Sequence, residues 1–210
     1  MSQLVTAKQM KHFDSYTINT IGIPSLVLME RASLAVRDFI VNGNYNLQHV
    51  VVVAGYVNNG GDGLCVARLL KLAGANVSVV SVGNPSHESV EHATQRKICE
   101  YYQITLNAPL NTLSDATLIV DAIFGIGIDR PVSGRQETAI DAINKASAPV
   151  ISVDTPSGIN TDSGKVMNVA VNAIATVTFA FNKVGLTMAD GPTHAGQIIV
   201  ADDMGTYAIN

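Results

Sequence analysis

Three short segments of the sequence combine glycines with oxygen-bearing side chains, a composition that suits ligand binding. They are GYVNNGGDG at residues 55–63, DAIFGIGIDRP at residues 121–131 and DTPSG at residues 154–158. In the first segment the glycines let the backbone turn sharply and approach a ligand closely. A helix that begins there directs free N–H groups at a bound phosphate. The segment has neither GxGxxG spacing nor the Gly-Lys-Ser/Thr of a P-loop, so a simple tight turn remains the alternative.

Asp121 and Asp154 each end an apolar run, where a buried carboxylate requires a partner. If the two strands are neighbours, both carboxylates face one crevice, and either one is protonated or a cation is bound. Asn59, Asp121 and Ser157 offer only oxygen ligands, which a hard cation prefers. Few carboxylates and several neutral oxygens favour a monovalent ion over magnesium. The alternative is that both aspartates cap the following loops through Asx turns.

Basic residues and histidines are weaker candidates for a functional role. Lys183 follows a predicted strand, and it either reaches the same crevice or lies solvated on a loop. Arg130 either contacts a phosphate or lies on the surface. The five histidines have no metal-ligand spacing, and His87 and His92 are expected on an exposed helix face. No Ser/His/Asp or Cys/His arrangement typical of nucleophilic catalysis stands out.

The hydrophobic pattern predicts which elements position these segments. Strands of nearly continuous Val and Ile alternate with helical patterns, which is typical of a parallel sheet with helices on both faces. The predicted strands are residues 49–54, 76–82, 103–106, 117–121, 150–154, 176–181 and 197–201. The predicted helices are residues 6–21, 24–41, 61–72, 85–101 and 134–146. Each of the three segments follows a strand, so we expect all three at the carboxyl edge of the sheet, where open α/β folds bind ligands.

The expected fold class is therefore doubly wound α/β with a mostly parallel central sheet. Residues 1–43 form an N-terminal helical extension, and residues 49–205 form the core. No linker, internal repeat or low-complexity segment interrupts the pattern, so residues 1–210 are predicted to form a single domain.

The composition excludes several classes of protein. The 210 residues are 47% hydrophobic and 14% charged, with a net charge of −4, which argues against disorder and against nucleic acid or an anionic membrane as a partner. Cys65 and Cys99 predict neither a disulfide framework nor a zinc site. The first residues lack the apolar core of a signal peptide, and no apolar run is long enough to span a membrane. We therefore expect a cytoplasmic protein.

Four sequence blocks in order carry a resemblance to a known family. They are GIPSLVLME at residues 22–30, NNGGDG at 58–63, DAIFGIG at 121–127 and DTPSG at 154–158. With them the chain resembles the YjeF N-terminal domain family, the NAD(P)H-hydrate epimerases. FNKVG at residues 181–185 is similar to the family's late lysine-glycine block. The resemblance spans nearly the whole chain and implies a Rossmann-like, three-layer α/β/α fold.

The resemblance implies an isomerase of nicotinamide nucleotide repair that interconverts the R and S hydrates of NADH and NADPH, called NADHX and NADPHX. It implies one potassium ion per subunit, bound by Asn59, Asp121 and Ser157. It also implies a homodimer and functional coupling to a separate NAD(P)H-hydrate dehydratase. The implied substrate contacts are Asn58, Asn59, Gly60, Gly61, Asp62, Gly125, Ile126, Gly127, Ile128, Asp129, Arg130, Pro131 and Asp154.

Such an epimerisation makes C6 of the nicotinamide ring planar and restores its hydroxyl from the other face, which requires an acid–base group nearby. Asp121 is the expected group, with potassium and Asn59 orienting the ring and tuning the pKa of the carboxylate. The sequence departs from the family at Tyr56 and Val57, which follow the first glycine of the loop and bear on rate or cofactor preference. The alternatives are a non-catalytic nucleotide-binding or scaffold domain of the same fold, and a nucleotide-sugar or sugar-phosphate enzyme, which the missing phosphate-loop lysine disfavours.

Overall fold

The strands of the structure are short and rich in β-branched residues, and helices separate most of them. The computed structural model describes residues 3–206, 208 and 209. Its strands are β1 (Leu4–Val5), β2 (Val50–Ala54), β3 (Val77–Ser81), β4 (Leu118–Ala122), β5 (Val150–Val153), β6 (Ala175–Phe179), β7 (Asn182–Lys183) and β8 (Gln197–Ala201). Its α-helices are α1 (Ala7–Tyr16), α2 (Ser25–Asn42), α3 (Asn58–Leu72), α4 (Val90–Tyr101), α5 (Gly134–Lys145) and α6 (Gly191–Ala195).

Six strands form one wholly parallel sheet in the order β3-β2-β4-β5-β6-β8. Every residue of β2 and β4 is buried, because helices cover both faces of the sheet. One face packs against α2, α3 and α4, and the other packs against α5. The result is the Rossmann-like, three-layer α/β/α arrangement that the sequence predicts. The direction of winding reverses between β2 and β4, so a crevice opens there at the carboxyl edge.

The N-terminal extension has the helices that the sequence predicts, with a different last turn. Thr6 and Gln9 form the capping box of α1. The helix then widens into a π-helical turn at Thr17–Ile21, and Gly22 ends it in the left-handed region at a φ of 90°. Among the described residues, no helix combines the length and the apolar character needed to cross a membrane.

Three local predictions are wrong. Residues 103–106 form only a single bridge, between Thr105 and Ser78, because the segment is too short to extend the sheet. The helix predicted for residues 85–101 begins as a 3-10 turn at Pro85–His87 and restarts at Val90, with Ser89 as its N-cap. His92 is buried rather than exposed, and its Nδ1 lies 2.8 Å from a carboxylate oxygen of Glu88.

A second, two-stranded parallel pairing lies outside the main sheet. Leu4 pairs with Asn182 and Val5 pairs with Lys183, so β1 lies beside β7. Because α1 follows β1 after a single residue, this pairing fixes the start of α1 next to Lys183. Phe13 of α1 then packs edge-on against Phe181, with 5.5 Å between the ring centroids. The N-terminal extension is therefore attached to the chain segment that carries Lys183.

Close packing of α3 on the sheet generates a prediction at Gly63. A Cβ at this position would lie 2.5 Å from the Cβ of Ala122, so helix and sheet would have to separate. We expect Gly63→Ala to lower the free energy of unfolding by about 1–3 kcal/mol in urea denaturation. Gly127→Ala is the control, because a Cβ there meets nothing within 4 Å and should change stability by less than about 0.5 kcal/mol. Equal stabilities for the two variants would contradict this account of the packing.

Candidate active site

A cavity of about 890 Å³ lies at the carboxyl edge of the sheet, where the winding reverses. Its walls come from α1, the first turns of α2 and α3, and the loop that follows β4. Asp154, directly after β5, and Lys183 of β7 also line the cavity. The cavity is within the size range of small-molecule and cofactor sites. Residues from two of the glycine-rich segments, 55–63 and 121–131, therefore line the same cavity as Asp154 of the third segment.

Helix α3 presents its N-terminus to the cavity. The helix begins at Asn58, three residues earlier than predicted, and its N-cap residue Val57 makes no side-chain capping bond. The first N–H groups of a helix have no partner within the helix, so those of Asn58 and Asn59, which line the cavity, remain available to an anion. The NNGG sequence therefore forms the first turn of a helix rather than a loop before it.

Lys183 and Asp154 form a buried ion pair beside the cavity. Lys183 has no exposure to solvent, and its Nζ lies 2.6 Å from Oδ1 of Asp154. The ammonium group also donates to the Thr178 hydroxyl and to the Phe179 carbonyl, each at 2.8 Å, so all three of its donors are used. Asp154 has a left-handed backbone with a φ of 67°, which an aspartate tolerates better than most residues. Of the two sequence-based alternatives for Lys183, the crevice is confirmed.

Two further carboxyl groups, those of Asp14 and Asp62, share this cavity. Burial raises the pKa of Asp62 well above its usual range, and the negative charges of Asp154 and Asp14 raise it further. Burial and the charge of Asp154 raise the pKa of Asp14 to about 6, although Lys183 and the Thr206 hydroxyl oppose the shift. Three carboxyl groups therefore face a single buried lysine, an arrangement that favours the protonated forms of Asp14 and Asp62.

Asp121 occupies a different environment from Asp154, although their strands are neighbours. Its side chain is fully buried and accepts hydrogen bonds from the Ser152 hydroxyl at 2.8 Å and from the Ser157 N–H and hydroxyl at 2.8 and 2.5 Å. The Ile123 N–H lies at 3.3 Å. Burial raises the pKa of Asp121, and these hydrogen bonds oppose the shift. The Asp121 carboxyl group thus accepts from neutral donors and contacts no basic side chain among the described residues.

Asn59 connects the cavity to the surroundings of Asp121. Its side chain is buried and packs against Gly125, where an added Cβ would lie 3.1 Å from the Asn59 Oδ1. The residue before this glycine, Phe124, donates its N–H to the Ser157 hydroxyl at 2.9 Å. The Asn59 Nδ2 is enclosed and has no hydrogen-bond partner among the described residues. An enclosed amide of this kind indicates a polar ligand beside it.

The structure gathers most of the expected site residues but not all of them. Five of the expected residues do not line the cavity: Gly60, Gly61, Pro131, Asp121 and Ser157. The expectation that two carboxylates face one crevice is therefore correct for Asp154 and wrong for Asp121, because Ser152 and Ser157 enclose the Asp121 carboxylate. The expected residues that do line the cavity are Asn58, Asn59, Asp62, Gly125, Ile126, Gly127, Ile128, Asp129, Arg130 and Asp154.

The principal residue missed by sequence reasoning is Asp14. It lies on α1 at a position that shares the buried face of Met10, Phe13 and Thr17. An acidic residue on an otherwise buried helical face is the signal that would have identified it. The predicted site residues all lie at or after the ends of strands, whereas Asp14 lies on the N-terminal helix.

Comparison with known proteins establishes the family. The family model of the YjeF-related protein N-terminus matches residues 25–185. The chain belongs to this YjeF family. The matched range includes the first turn of α3, the loop after β4, Asp154 and Lys183.

Relatives within the YjeF family are similar over nearly their whole length. A protein of Limosilactobacillus reuteri strain DSM 20016, named NAD(P)H-hydrate epimerase, is 60% identical over 209 residues, which cover 99% of each chain. A protein of the same name from Levilactobacillus brevis strain ATCC 367 is 49% identical and covers 99% of this chain and 96% of its own. The crystal structure of the yeast protein ynu0 superposes with a TM-score of 0.80 at 23% identity, covering 99% and 96% of the two chains, and supports the fold.

The buried ion pair of this YjeF-family chain generates a stability prediction. Lys183→Met removes the cation from a site that holds three carboxyl groups, so we expect the free energy of unfolding at neutral pH to fall by about 3–5 kcal/mol. The loss should shrink at pH 5, because protonation of the carboxylates replaces the missing charge. The double variant Lys183→Met/Asp154→Asn should recover most of the stability in urea unfolding. A double variant no more stable than the single one would show that the pair is not the relevant interaction.

Proposed function

We propose that this chain is an isomerase that interconverts the R and S hydrates of NADH and NADPH. Relatives named NAD(P)H-hydrate epimerase, 60% and 49% identical over almost the whole chain, support the proposal. The observation that carries it is the composition of one cavity, which combines the free N-terminus of α3 with several carboxyl groups. The first feature suits the phosphate of a nucleotide, and the second suits proton transfer at a hydroxyl.

The cavity provides a distinct environment for each part of such a substrate. Met29, Phe124 and Ile126 form an apolar wall suited to the nicotinamide ring. The diphosphate is placed at the first turn of α3, and the loop of residues 125–131 contributes orientation rather than chemistry. The C6 hydroxyl is then placed towards the carboxyl groups beside Lys183. Binding of both NADHX and NADPHX is compatible with this arrangement.

We further infer that Asn59, Asp121 and Ser157 bind one potassium ion per subunit. The donor set consists of oxygens with a single carboxylate, as a monovalent hard cation prefers. The contact of Asp121 with the Ser157 N–H and hydroxyl supports this assignment, because it brings two of the three proposed ligand residues together. A bound ion would supply positive charge at Asp121 and hold the loop after β4 against Ser157.

This arrangement gives Asp121 a positioning role. Its carboxylate is enclosed by serine and backbone donors and does not line the cavity, so it has no path to a substrate hydroxyl. Our earlier expectation that Asp121 exchanges the proton is therefore replaced by a role in holding Ser157 and the loop that begins at Ile123. Proton transfer belongs to groups on the cavity surface.

The chemistry also indicates the cellular setting of the enzyme. An epimerase is useful when the next enzyme accepts one epimer only, so we propose coupling to a separate dehydratase that consumes the S form.

We propose a homodimer, since Tyr16, Ile21 and Val27 of the N-terminal helices are exposed apolar residues. Free, buried Cys65 and Cys99 suit a reducing compartment, and we propose the cytoplasm.

The proposed function predicts measurable epimerisation. Purified protein supplied with potassium and separated R-NADHX should form the S epimer faster than the uncatalysed reaction, as followed by chromatography. Both directions should accelerate by the same factor, because a catalyst does not change the equilibrium constant. A folded, potassium-supplied protein that accelerates neither direction would instead support a non-catalytic binding domain of the same fold.

The proposed ion site predicts that potassium stabilises the fold. At a concentration about tenfold above its Kd, potassium should raise the free energy of unfolding by about 1.4 kcal/mol relative to sodium at equal ionic strength. Asp121→Asn and Ser157→Ala should each abolish the difference, as measured by urea unfolding in the two salts. Asp141→Asn, at an exposed position of α5, is the matched control and should keep it. Retention of the potassium effect in both site variants would place the ion elsewhere.

A further inference from the structure

The cavity contains a carboxyl group that the loop motifs do not account for. Asp14 reaches it from α1, and Asp62 reaches it from the first turns of α3, so the two groups belong to different walls. We propose that Asp14 is an acid–base group of the epimerase and works with Asp62 on the C6 hydroxyl of the hydrate. This inference rests on the proposed function, and it assigns the proton transfer within that function.

The geometry distinguishes Asp14 from Asp121 and Asp154. Asp121 is enclosed, and Asp154 is held by Lys183 at 2.6 Å and by the Thr178 hydroxyl at 3.2 Å. Asp14 is only half-buried and lines the cavity, so it has access both to the ligand and to solvent protons. Proton exchange with solvent is what an acid–base group needs between turnovers.

A second feature of the cavity independently indicates a polar ligand. Asn59 lines the cavity and is nine-tenths buried, and its Nδ2 has no hydrogen-bond partner among the described residues. A buried amide donor without a partner is costly unless a bound group accepts from it. A ligand with hydroxyl or carboxamide oxygens meets this requirement, and the hydrate of a nicotinamide nucleotide has both.

The charges around Asp14 set its protonation. Asp14 faces Asp154, Lys183 and Asp62, each of which comes from a different part of the fold. The other charged residues that line the cavity are Lys11, Glu91, Asp129 and Arg130. With its pKa raised to about 6 by burial and by Asp154, Asp14 is mostly ionised at neutral pH but close to its titration. Burial and the charges of Asp154 and Asp14 raise the pKa of Asp62, which favours its protonated form. A carboxyl group that favours the protonated form beside one that is mostly ionised supplies a donor and an acceptor at the same pH.

In the proposed reaction, Asp62 gives up one proton and Asp14 takes up one. Asp62 gives its proton to the C6 hydroxyl, the C–O bond breaks with both electrons leaving on water, and the ring nitrogen lone pair stabilises the cation. Water adds to C6 from the other face and loses its proton to Asp14. The reverse direction uses the same groups with donor and acceptor exchanged, so no oxidant, reductant or external proton is consumed.

Asp14→Asn is the decisive variant. We expect kcat for R-NADHX to fall by about a hundredfold or more, with KM changed by less than about threefold. In the wild type, kcat/KM should fall as the pH drops through about 6, because the acceptor becomes protonated. This fall of kcat/KM at low pH should be absent from the residual activity of Asp14→Asn. The double variant Asp14→Asn/Asp62→Asn should lose little more than either single one, as expected of groups that act as a unit.

Thermal unfolding separates this role from a structural one. Between the ordinary pKa of an aspartate and about 6, the folded state binds a proton that the unfolded state releases, so stability falls as the pH rises through this window. Above it, the ionised Asp14 costs stability, and Asp14→Asn should unfold at an equal or higher Tm at pH 7.5. A residue needed only for packing would give a lower Tm.

The outcomes distinguish the two proposals. An active wild type, an active Asp141→Asn control and a folded Asp14→Asn variant with kcat within threefold of wild type would overturn the role of Asp14 alone. If kcat/KM of Asp14→Asn still fell as the pH dropped through about 6, the proposed role of Asp14 would be overturned as well. A wild type that does not epimerise R-NADHX would instead overturn the proposed function on which the inference rests.

Discussion

The ammonium group of Lys183, sealed from solvent, sets the electrostatics of the whole cavity. A buried charge persists only if it is paired and fully hydrogen-bonded, and Lys183 meets this condition with Asp154, Thr178 and a backbone carbonyl. One positive charge cannot neutralise three carboxyl groups, and burial together with mutual repulsion raises the pKa of Asp14 and of Asp62. The lysine holds Asp154 in place, and its charge partly offsets the rise in the pKa of its two other neighbours.

The aspartates at the carboxyl ends of two adjacent strands are stabilised by different partners. Asp154 has a lysine and borders the cavity, whereas Asp121 has serine and backbone donors and lies behind the cavity wall. The first arrangement leaves the charge close to a ligand, and the second uses it to fasten the loops after β4 and β5 to each other. The carboxyl edge of the sheet is thus divided into a half that borders the cavity and a half that lies behind its wall, with Asn59 between them.

The sequence reveals the sheet more completely than the site. Runs of Val and Ile bounded by glycine report burial directly, so the six strands of the main sheet were predictable, and so were the loops that follow them. The enclosure of Asp121 was not predictable, because it depends on hydrogen bonds to residues 31 and 36 positions away. Asp14 has a sequence signal, an acidic residue on a buried helical face, but its neighbours Lys183 and Thr206 come from the far end of the chain and were not predictable. Pairing of β1 with β7, only two residues long, leaves no periodic signal.

That short pairing has a consequence for how the molecule is made. Ribosomal synthesis proceeds from the amino end, and β1 finds its partner only after Asn182 has emerged. Strands β2 to β5 and the helices between them can assemble beforehand, because their contacts are closer in sequence. The wall contributed by α1 therefore cannot be fixed beside Lys183 until most of the chain has been synthesised. The complete cavity, and with it any ligand binding, depends on residues from both ends of the chain.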